Sequence, residues 1–280
     1  MQHPFLKGKT AVITGGSGIL CREFAYALAK QGMNVAVLGR TLSKLQEVAD
    51  RIDELGGNGL AVTADVTDPE AVKAAKDEVN KVFGKVDILI NGAGGNHPRG
   101  TTSKEFFEVG DIEDPGVHSF FDLRPEDFGY VFDLNIVGTV VPTQIFLTDM
   151  VGREGTCVIN VASMSSYKAI TRVSAYSAAK AAIVNFTEWL AVHFARSGVR
   201  VNAIAPGWFE TTQNKTLLRN PDGSLSERSK KVIAHTPYGR FGKPEELTGT
   251  ILFLADAEMS GFVSGATIPV NGGFGASAGV

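Results

Sequence analysis

The stretch AVITGGSGILC, residues 11–21, joins an apolar run to a glycine-rich loop and decides the fold class of this chain. Gly16, Gly18 and Cys21 fit the pattern G-x-G-x-x-G/A, because its third position requires only a small residue for helix-to-strand packing. Glycines in such a loop permit a tight turn and close approach of the backbone to a pyrophosphate, which rests on the N-terminus of the next helix. A tight turn without a ligand is the alternative.

Seven apolar, β-branched runs predict strands, and amphipathic helical patterns lie between them. In one such pattern Asp68 is the predicted N-cap, with Pro69 in the first helical position. The alternation predicts an α/β fold, a Rossmann-type doubly wound sheet of seven mainly parallel strands flanked by helices. Because no linker, repeat or low-complexity segment divides the chain, residues 1–280 are predicted to form a single domain. The predicted strands are residues 11–16, 34–39, 60–65, 86–92, 156–163, 200–206 and 265–273.

Composition narrows the class of partner. A formal net charge of −3 over 280 residues argues against nucleic-acid or anionic-membrane surfaces, which need a clustered basic excess. We find no apolar run of signal-peptide length and none near the roughly 18 residues of a membrane helix, so we expect a cytoplasmic protein with small-molecule partners. The two cysteines, Cys21 and Cys157, are predicted to be small packing residues rather than a disulfide.

Tyr176 and Lys180 are the first candidates for chemistry. They lie four residues apart in a helical pattern from about Ser174 to Arg196, so both project from one face. A phenol has a pKa of about 10, and a neighbouring ammonium favours its phenolate and brings that pKa towards neutrality. Ser163, which follows the fifth predicted strand, could hold a substrate oxygen in the same cleft, or act only as a cap or turn residue.

Two further motifs follow strand ends. Asp65 closes the third predicted strand, where its carboxylate could accept a hydrogen bond from an adenine amino group or simply cap a helix. The sequence NGAG, residues 91–94, closes the fourth, and its glycines would let the chain pass close to a flat ring or a sugar. A plain turn is the alternative there.

With these motifs the sequence resembles a short-chain dehydrogenase/reductase of the classical type along essentially its whole length. The resemblance implies hydride transfer between a nicotinamide and a substrate carbon. It implies that Tyr176 donates and accepts the proton and that Ser163 orients the reacting carbonyl or alcohol. The residues that carry it are TGGSG at 14–18, Asp65 and Val66, NGAG at 91–94, Asn135, Ser163, YSAAK at 176–180 and PGWFET at 206–211.

By the same resemblance, Lys180 binds the nicotinamide ribose and lowers the Tyr176 pKa. Asn135 holds a water that connects Lys180 to solvent, and Thr211 hydrogen-bonds the cofactor carboxamide. The implied catalytic residues are Asn135, Ser163, Tyr176 and Lys180. The implied cofactor-binding residues are Gly16, Ser17, Gly18, Ile19, Arg40, Asp65, Val66, Asn91, Gly92, Ala93, Tyr176, Lys180, Pro206, Gly207 and Thr211.

The sequence departs from the family pattern at three places. The usual loop T-G-x-x-x-G-x-G is one residue shorter here, with Leu20 near the position of its last glycine, so we expect rearranged pyrophosphate contacts and preserved binding. NGAG replaces the commoner N-N-A-G. The stretch from Asn91 to Asn135 is longer than in typical members, which predicts an insertion around residues 95–125.

The end of the second predicted strand reads VLGR and lacks the carboxylate that usually binds the ribose 2′-hydroxyl of NAD. Arg40 could pair with a 2′-phosphate instead, so NADP(H) is favoured and NAD(H) is possible. If Arg40 only stacks on the adenine, either cofactor would bind.

The predicted substrate lid, around residues 208–240, is strongly polar, which favours a hydroxylated, anionic substrate. Arg172, His97 and Arg99 are candidates for binding a carboxylate, with solvated surface positions as the alternative. GAGGNHP and the run from AYSAAKAA to RVNAIAPGWF resemble the D-mannonate oxidoreductase (fructuronate reductase) branch of the family, which implies reduction of D-fructuronate to D-mannonate. A gluconate or other polyol dehydrogenase and a non-catalytic nucleotide-binding regulator are the alternatives.

The remaining predictions concern metal and assembly. His118, His193 and His235 are scattered without partners at ligand spacing, so no metal site is predicted. The aromatic runs EFFEV and SFFDL are predicted to pack beneath their loop as a satellite core, with a subunit contact as the alternative. The C-terminal strand IPVNGGF and the tail GASAGV resemble the family's tetramer interface, which implies a homotetramer.

Overall fold

The computed structural model describes residues 2–211 and 215–277. Each of the seven predicted strands is present, and their ends differ from the predicted ones by a few residues at most. The predicted fold class is confirmed, and every neighbouring pair of strands is parallel. The strands are β1 (Thr10–Thr14), β2 (Asn34–Gly39), β3 (Asn58–Thr63), β4 (Ile88–Asn91), β5 (Thr156–Val161), β6 (Val199–Pro206) and β7 (Thr267–Val270), and they form one sheet in the order β3-β2-β1-β4-β5-β6-β7.

Ten α-helices connect and flank the strands in the described part of the chain. As predicted, Asp68 caps the third helix by accepting hydrogen bonds from the backbone of Glu70 and Ala71. The helix that carries Tyr176 begins at Ser174 as predicted and ends before Arg196. The helices are α1 (Ile19–Ala29), α2 (Leu42–Glu54), α3 (Pro69–Phe83), α4 (Pro125–Phe132), α5 (Gly138–Met150), α6 (Ser174–His193), α7 (Lys215–Leu218), α8 (Glu227–Ala234), α9 (Thr248–Ala255) and α10 (Ala257–Ser260).

The central strands are mostly apolar because both faces of the sheet are covered. Successive side chains of a strand point to opposite faces. Ile13 therefore joins the apolar layer that includes Phe24 of α1 and Leu254 of α9. Val12 joins the layer beneath α3, α5 and α6, with Phe146. Cys21 and Cys157 are buried and free, as predicted.

The strand order reverses between β1 and β4, which are neighbours in the sheet although β2 and β3 lie between them in sequence. In open parallel sheets a crevice forms beyond the carboxyl ends of the strands at such a point. The glycine loop after β1 and the NGAG segment after β4 therefore meet at one edge.

One helical run, Pro125–Met150, is long and apolar enough to cross a bilayer by length and composition, so the expectation that no such run exists was wrong. Half of its most apolar window is buried inside the protein. Asp149 near its end forms an ion pair of 2.8 Å with Lys76 of α3. Packing inside the protein accounts for the apolar residues of the buried half, since the covered face of a helix is apolar.

Residues 95–125 form irregular chain with short 3₁₀ turns beside the crevice. The prediction that their aromatic side chains pack beneath the loop is wrong: Phe106 is 77% exposed and Phe121 is 68% exposed. Phe107 and Phe121 contact each other edge to face, with ring centroids 5.6 Å apart, but no core lies under them in the described residues. The subunit-contact alternative stays a prediction.

Candidate active site

Two adjoining chambers open at the carboxyl ends of the strands. The first, of about 620 Å³, is lined by the glycine loop, the end of β2, the segments after β3 and β4, and Lys180. The second, of about 740 Å³, lies between the 95–125 segment and the chain after β6. Ser163 and Tyr176 line both chambers. The site therefore offers an elongated cleft with these two hydroxyls at the junction.

The glycine loop fits a pyrophosphate. Gly15 has a φ of +65°, and a Cβ atom there would lie 2.9 Å from the backbone of Ala93. Gly18 is the N-cap of α1 and supplies no side-chain hydrogen bond, so the first-turn N–H groups are free of such a cap. Backbone N–H groups at a helix N-terminus bind phosphate oxygens. Ser17, Gly18, Ile19 and Leu20 all line the first chamber.

Two predicted cofactor residues lie beneath the described chamber surface rather than on it. A Cβ at Gly16 would lie 2.6 Å from the Val37 side chain, so this glycine allows the loop to pack on β2. The Asn91 side chain is buried, and its Nδ2 donates to Thr143 Oγ1 and to Asn160 Oδ1, each at 2.9 Å. Both residues support the chamber wall; Gly15 takes the exposed position in the loop.

The packing of Cys21 against Gly92 accounts for one departure from the family pattern, the glycine in NGAG where N-N-A-G is commoner. A Cβ at Gly92 would lie 2.2 Å from Cys21 Sγ. The cysteine thus fills the space that a side chain at position 92 would need. Burial raises the pKa of the Cys21 thiol to about 12, so the group stays neutral and acts in packing.

Tyr176 and Lys180 project from α6, and Ser163 follows β5. Ser163 begins a 3₁₀ turn, and its Oγ accepts a hydrogen bond from the backbone N–H of Ser165 at 3.2 Å. Lys180 is buried, and its Nζ donates to the carbonyl of Val161 at 2.8 Å. The same Nζ lies 5.7 Å from the centroid of the Tyr176 ring.

Burial is the main cause of the pKa shifts of Tyr176 and Lys180. Burial raises the pKa of the Tyr176 phenol, and a hydrogen bond with the Ser163 side chain opposes the rise. The sequence predicted that Lys180 lowers the Tyr176 pKa. The pKa is raised instead, because the desolvation of the phenol outweighs the hydrogen bond with Ser163. Burial also lowers the pKa of the Lys180 ammonium to about 8.

Asn135 lies in a π-helical turn, Asp133–Val137, between α4 and α5. Its Nδ2 donates to the carbonyls of Gly95 and Val131, both at 2.8 Å, and its Oδ1 accepts from Gly95 N at 3.1 Å. A Cβ at Gly94 would lie 2.6 Å from Asn135 Oδ1 and 3.1 Å from Lys180 Nζ. Gly94, the last residue of NGAG, thus lets the chain pass against both side chains; π-turns of this kind are frequent at functional sites.

At the far end of the first chamber lie Arg40, Asp65 and Lys44. Asp65 follows β3 by two residues, and its Oδ1 accepts from Thr67 N at 2.9 Å and Thr67 Oγ1 at 2.7 Å. These bonds, and then the charge of Arg40, lower the pKa of the Asp65 carboxyl. Sequence reasoning missed Lys44, although its place in the first turn of α2, four residues after Arg40, was a usable signal.

The remaining predicted residues line the chambers. Val66, Gly92, Ala93, Pro206, Gly207 and Thr211 line the first. His97, Arg99 and Arg172 line the second, together with Trp208, Leu217 and Arg228 from the predicted lid. Residues 212–214 of that lid lie outside the described residues. Arg228 was missed, because no short motif ties it to Tyr176.

The family model for short chain dehydrogenases matches residues 9–222. UxuB, an uncharacterized oxidoreductase of Bacillus subtilis (strain 168), is 52% identical over 278 residues, which cover 99% of each chain. A solved structure from Haemophilus influenza with bound NAD, provisionally named a D-mannonate oxidoreductase, is 43% identical with a TM-score of 0.92 and covers 98% of each chain. A gluconate 5-dehydrogenase from Burkholderia cenocepacia J2315 in complex with NADP and tartrate is 30% identical, with a TM-score of 0.82 and coverage of 99% of each chain.

Proposed function

Since this chain belongs to the short-chain dehydrogenase/reductase family, we propose that it interconverts a keto group and a secondary alcohol on a sugar acid, with D-fructuronate and D-mannonate as the pair. The observation that carries the proposal is the position of Ser163 and Tyr176 at the junction of the two chambers. A substrate in the second chamber would meet both hydroxyls and the end of a cofactor held in the first.

A bound nicotinamide supplies the hydride for reduction of the ketone carbon. The Tyr176 hydroxyl gives its proton to the ketone oxygen, and in the reverse direction the phenolate takes a proton from the alcohol. Ser163 holds the same oxygen by a hydrogen bond and fixes its distance from Tyr176. The cleft thereby supplies orientation, which converts a bimolecular encounter into a positioned one.

Lys180 and Asn135 support Tyr176 in this proposal. An ammonium has three donors, and one of those of Lys180 is used by the Val161 carbonyl. The other donors would bind the cofactor ribose and pass a proton towards Tyr176. Asn135 holds the Gly95 backbone and thereby the preceding Gly94, which passes close to Lys180, and the water assigned to Asn135 by the family resemblance would complete the route to solvent.

We also propose that NADPH is preferred over NADH. Arg40 and Lys44 line the end of the chamber where a 2′-phosphate would lie, and the end of β2 has no carboxylate. The Haemophilus influenza structure holds NAD and the Burkholderia cenocepacia structure holds NADP, so both cofactors occur among similar proteins. Dissociation constants for NADPH and NADH, measured by fluorescence titration, test this preference; tighter binding of NADH would contradict it.

The sugar-acid substrate is supported by the name of the Haemophilus influenza protein and by the arginines of the second chamber. The gluconate 5-dehydrogenase supports a second candidate, 5-keto-D-gluconate. Comparison of kcat/KM for the two keto acids with purified enzyme separates them. We expect the higher value with D-fructuronate; a higher value with 5-keto-D-gluconate would assign the second function.

A homotetramer and a cytoplasmic location stay predictions. The predicted tail GASAGV lies partly in residues 278–280, outside the described residues. Phe262, which precedes β7, is fully exposed, and Trp189 of α6 is more than half exposed, which supports burial in an assembly. Light scattering of the purified protein tests the tetramer, and a monomer mass would contradict it.

A further inference from the structure

Two arginines from distant segments face the second chamber, next to Ser163 and Tyr176. Arg172 precedes α6 and has a φ of +76°, the left-handed region that a non-glycine residue rarely adopts. It is the one non-glycine residue with positive φ in residues 2–211 and 215–277. Strained backbone of this kind persists where the surroundings enforce it, often at ligand-binding positions.

The hydrogen bonds of Arg172 fix its direction. Its Nε donates to the carbonyl of Thr102 at 2.8 Å, and the N–H of Thr102 donates back to the carbonyl of Arg172 at 3.0 Å. A guanidinium has five N–H donors, and among the described residues these bonds use one of them. Within residues 2–211 and 215–277 neither terminal nitrogen has a hydrogen-bond partner, so both can bind a ligand.

Arg228, on α8, approaches from the other wall. Its side chain is 15% exposed, and its Nη2 donates to the carbonyl of Thr171 at 3.3 Å. Its guanidinium carbon lies 5.7 Å from the centroid of the Trp208 ring. Burial, followed by the charge of Arg172, lowers the pKa of the Arg228 guanidinium. Two like charges thus lie close together in a partly desolvated place, which is unfavourable without an anion.

The nearby carboxylate of Glu105 offsets only part of the charge of this pair. Glu105 Oε2 accepts a hydrogen bond from Lys231 at 2.9 Å, whereas Glu105 Oε1 is 3.7 Å from Arg228 Nη1, beyond hydrogen-bond range. One negative charge is therefore shared among Lys231, Arg228 and Arg172. The chamber keeps a net positive charge at the wall formed by these residues.

We propose that Arg172 and Arg228 together bind the carboxylate of the substrate, while its keto group reaches Ser163 and Tyr176. The inference rests on the proposed function and assigns the residues that select an acid over a neutral sugar. Planar guanidinium groups match a carboxylate with paired, charge-assisted hydrogen bonds. Glu105 competes with the substrate carboxylate for Arg228. When the substrate binds, its carboxylate replaces Glu105 beside the two arginines.

The test uses a matched pair of substrates. D-fructose differs from D-fructuronate in carrying a hydroxymethyl group where the acid has its carboxylate. In Arg228→Gln we expect kcat/KM for D-fructuronate to fall about 30-fold more than kcat/KM for D-fructose, as loss of charge-assisted hydrogen bonds predicts. Arg228→Lys should restore part of the ratio of kcat/KM for D-fructuronate to kcat/KM for D-fructose. Lys230→Gln, on the same helix with its side chain in solvent, is the matched control and should change neither value.

A second variant separates binding from structure. Because Glu105 competes with the substrate, Glu105→Gln should lower the KM for D-fructuronate by a few fold, opposite in sign to Arg228→Gln. If the contact between Glu105 and Arg228 only stabilised the structure, both variants would raise the KM for D-fructuronate. The proposal is overturned if Glu105→Gln and Arg228→Gln act in the same direction, or if Arg228→Gln affects acid and neutral sugar equally.

The proposed function fails separately if the wild-type enzyme does not turn over D-fructuronate although it binds cofactor. The same comparison then uses D-gluconate against D-glucitol as competitive ligands of the enzyme with oxidised cofactor. A preference for the acid that Arg228→Gln abolishes supports the two-arginine site, and equal binding of acid and alcohol by the wild type overturns it.

Discussion

The first chamber and the second differ in how the chain builds them. The glycine loop, Asp65 and NGAG each lie at the end of a strand or within two residues of it, so the sheet places them at one edge. The second chamber joins the 95–125 segment to α8, which lies more than 100 residues further along the chain. Site residues that lie at strand ends form short sequence motifs. Site residues that are positioned by the packing of distant loops form no such motif.

The comparison also explains why one reaction type can serve many substrates. In the proposed reaction, hydride and proton transfer depend on Lys180, Tyr176 and Ser163, which lie on α6 and after β5. The proposed substrate selection depends on Arg172 and Arg228, which lie on irregular chain and on α8. Under this proposal the elements around the sheet hold the chemistry, and the segments outside the sheet select the substrate.

The largest expected effect is at the junction of the two chambers. Tyr176→Phe removes the proton donor, and loss of a general acid–base group lowers kcat by about 10²- to 10⁴-fold. Cofactor binding, measured by fluorescence titration, should change much less. Tyr167→Phe is the matched control, because Tyr167 is a half-exposed tyrosine in the chain after Ser163. Equal turnover of wild type and Tyr176→Phe would contradict the assigned role.

A second prediction concerns the wall of the first chamber. Gly92→Ala places a Cβ against Cys21 Sγ and should destabilise the protein by about 1–3 kcal/mol, the usual effect of overpacking. In a Cys21→Gly background the same change should be less destabilising, since the contact with Sγ is gone and only the approach to the Thr14 carbonyl, 2.9 Å from the added Cβ, remains. Denaturant unfolding of the two single variants and the double variant measures the coupling. Additive effects would contradict the paired packing of Cys21 and Gly92.

Arg40→Ser tests the cofactor preference at the other end of the same chamber. Loss of a charge pair with a 2′-phosphate should weaken NADPH binding about 10-fold and leave NADH binding within about twofold. Arg51→Ser is the control, because Arg51 lies on the exposed side of α2 with Glu54. A similar loss for both nucleotides would indicate that Arg40 stacks on the adenine.

The smallest expected effect is in the pH profile. Alcohol oxidation needs the Tyr176 phenolate and therefore rises with pH, whereas ketone reduction needs the phenol and falls at high pH. Because burial lowers the Lys180 pKa to about 8, its ammonium is mostly present at pH 7 and mostly lost at pH 9. Lys180→Met removes that charge, so relative to the wild type oxidation should fall more at pH 7, where the ammonium favours the phenolate, than at pH 9, where the wild-type amine is mostly neutral as well. If the pH dependence of oxidation were the same in the variant and the wild type, Lys180 would not influence the protonation of Tyr176.

Sequence patterns predicted the fold because the central strands carry apolar residues on both faces, as Val12 and Ile13 illustrate, and helices such as α2 and α3 have one apolar stripe. They also predicted Ser163, Tyr176 and Lys180, which strand ends and helical spacing bring together. They did not distinguish Gly15 from Gly16, since which glycine faces the cavity depends on the packing of Val37 and Ala93.

The aromatic side chains of the 95–125 segment and Arg228 show what sequence patterns could not predict. Phe106 and Phe121 look like core residues by composition, but the segment has too little covering chain to bury them. Arg228 looks like a surface cation on an amphipathic helix. Its place beside Arg172 follows from how α8 packs on the 95–125 segment through Glu105, and no local pattern in the sequence encodes that contact.

The central claim is that this chain reduces a keto sugar acid in the cleft where the two chambers meet. The direct measurement is the absorbance of reduced nicotinamide when purified protein is given D-fructuronate with NADPH or NADH, with D-mannonate and oxidised cofactor as the reverse reaction. We predict one cofactor oxidised for each D-mannonate formed, faster with NADPH. No turnover with either nucleotide, despite measurable binding of the cofactor, would contradict the claim.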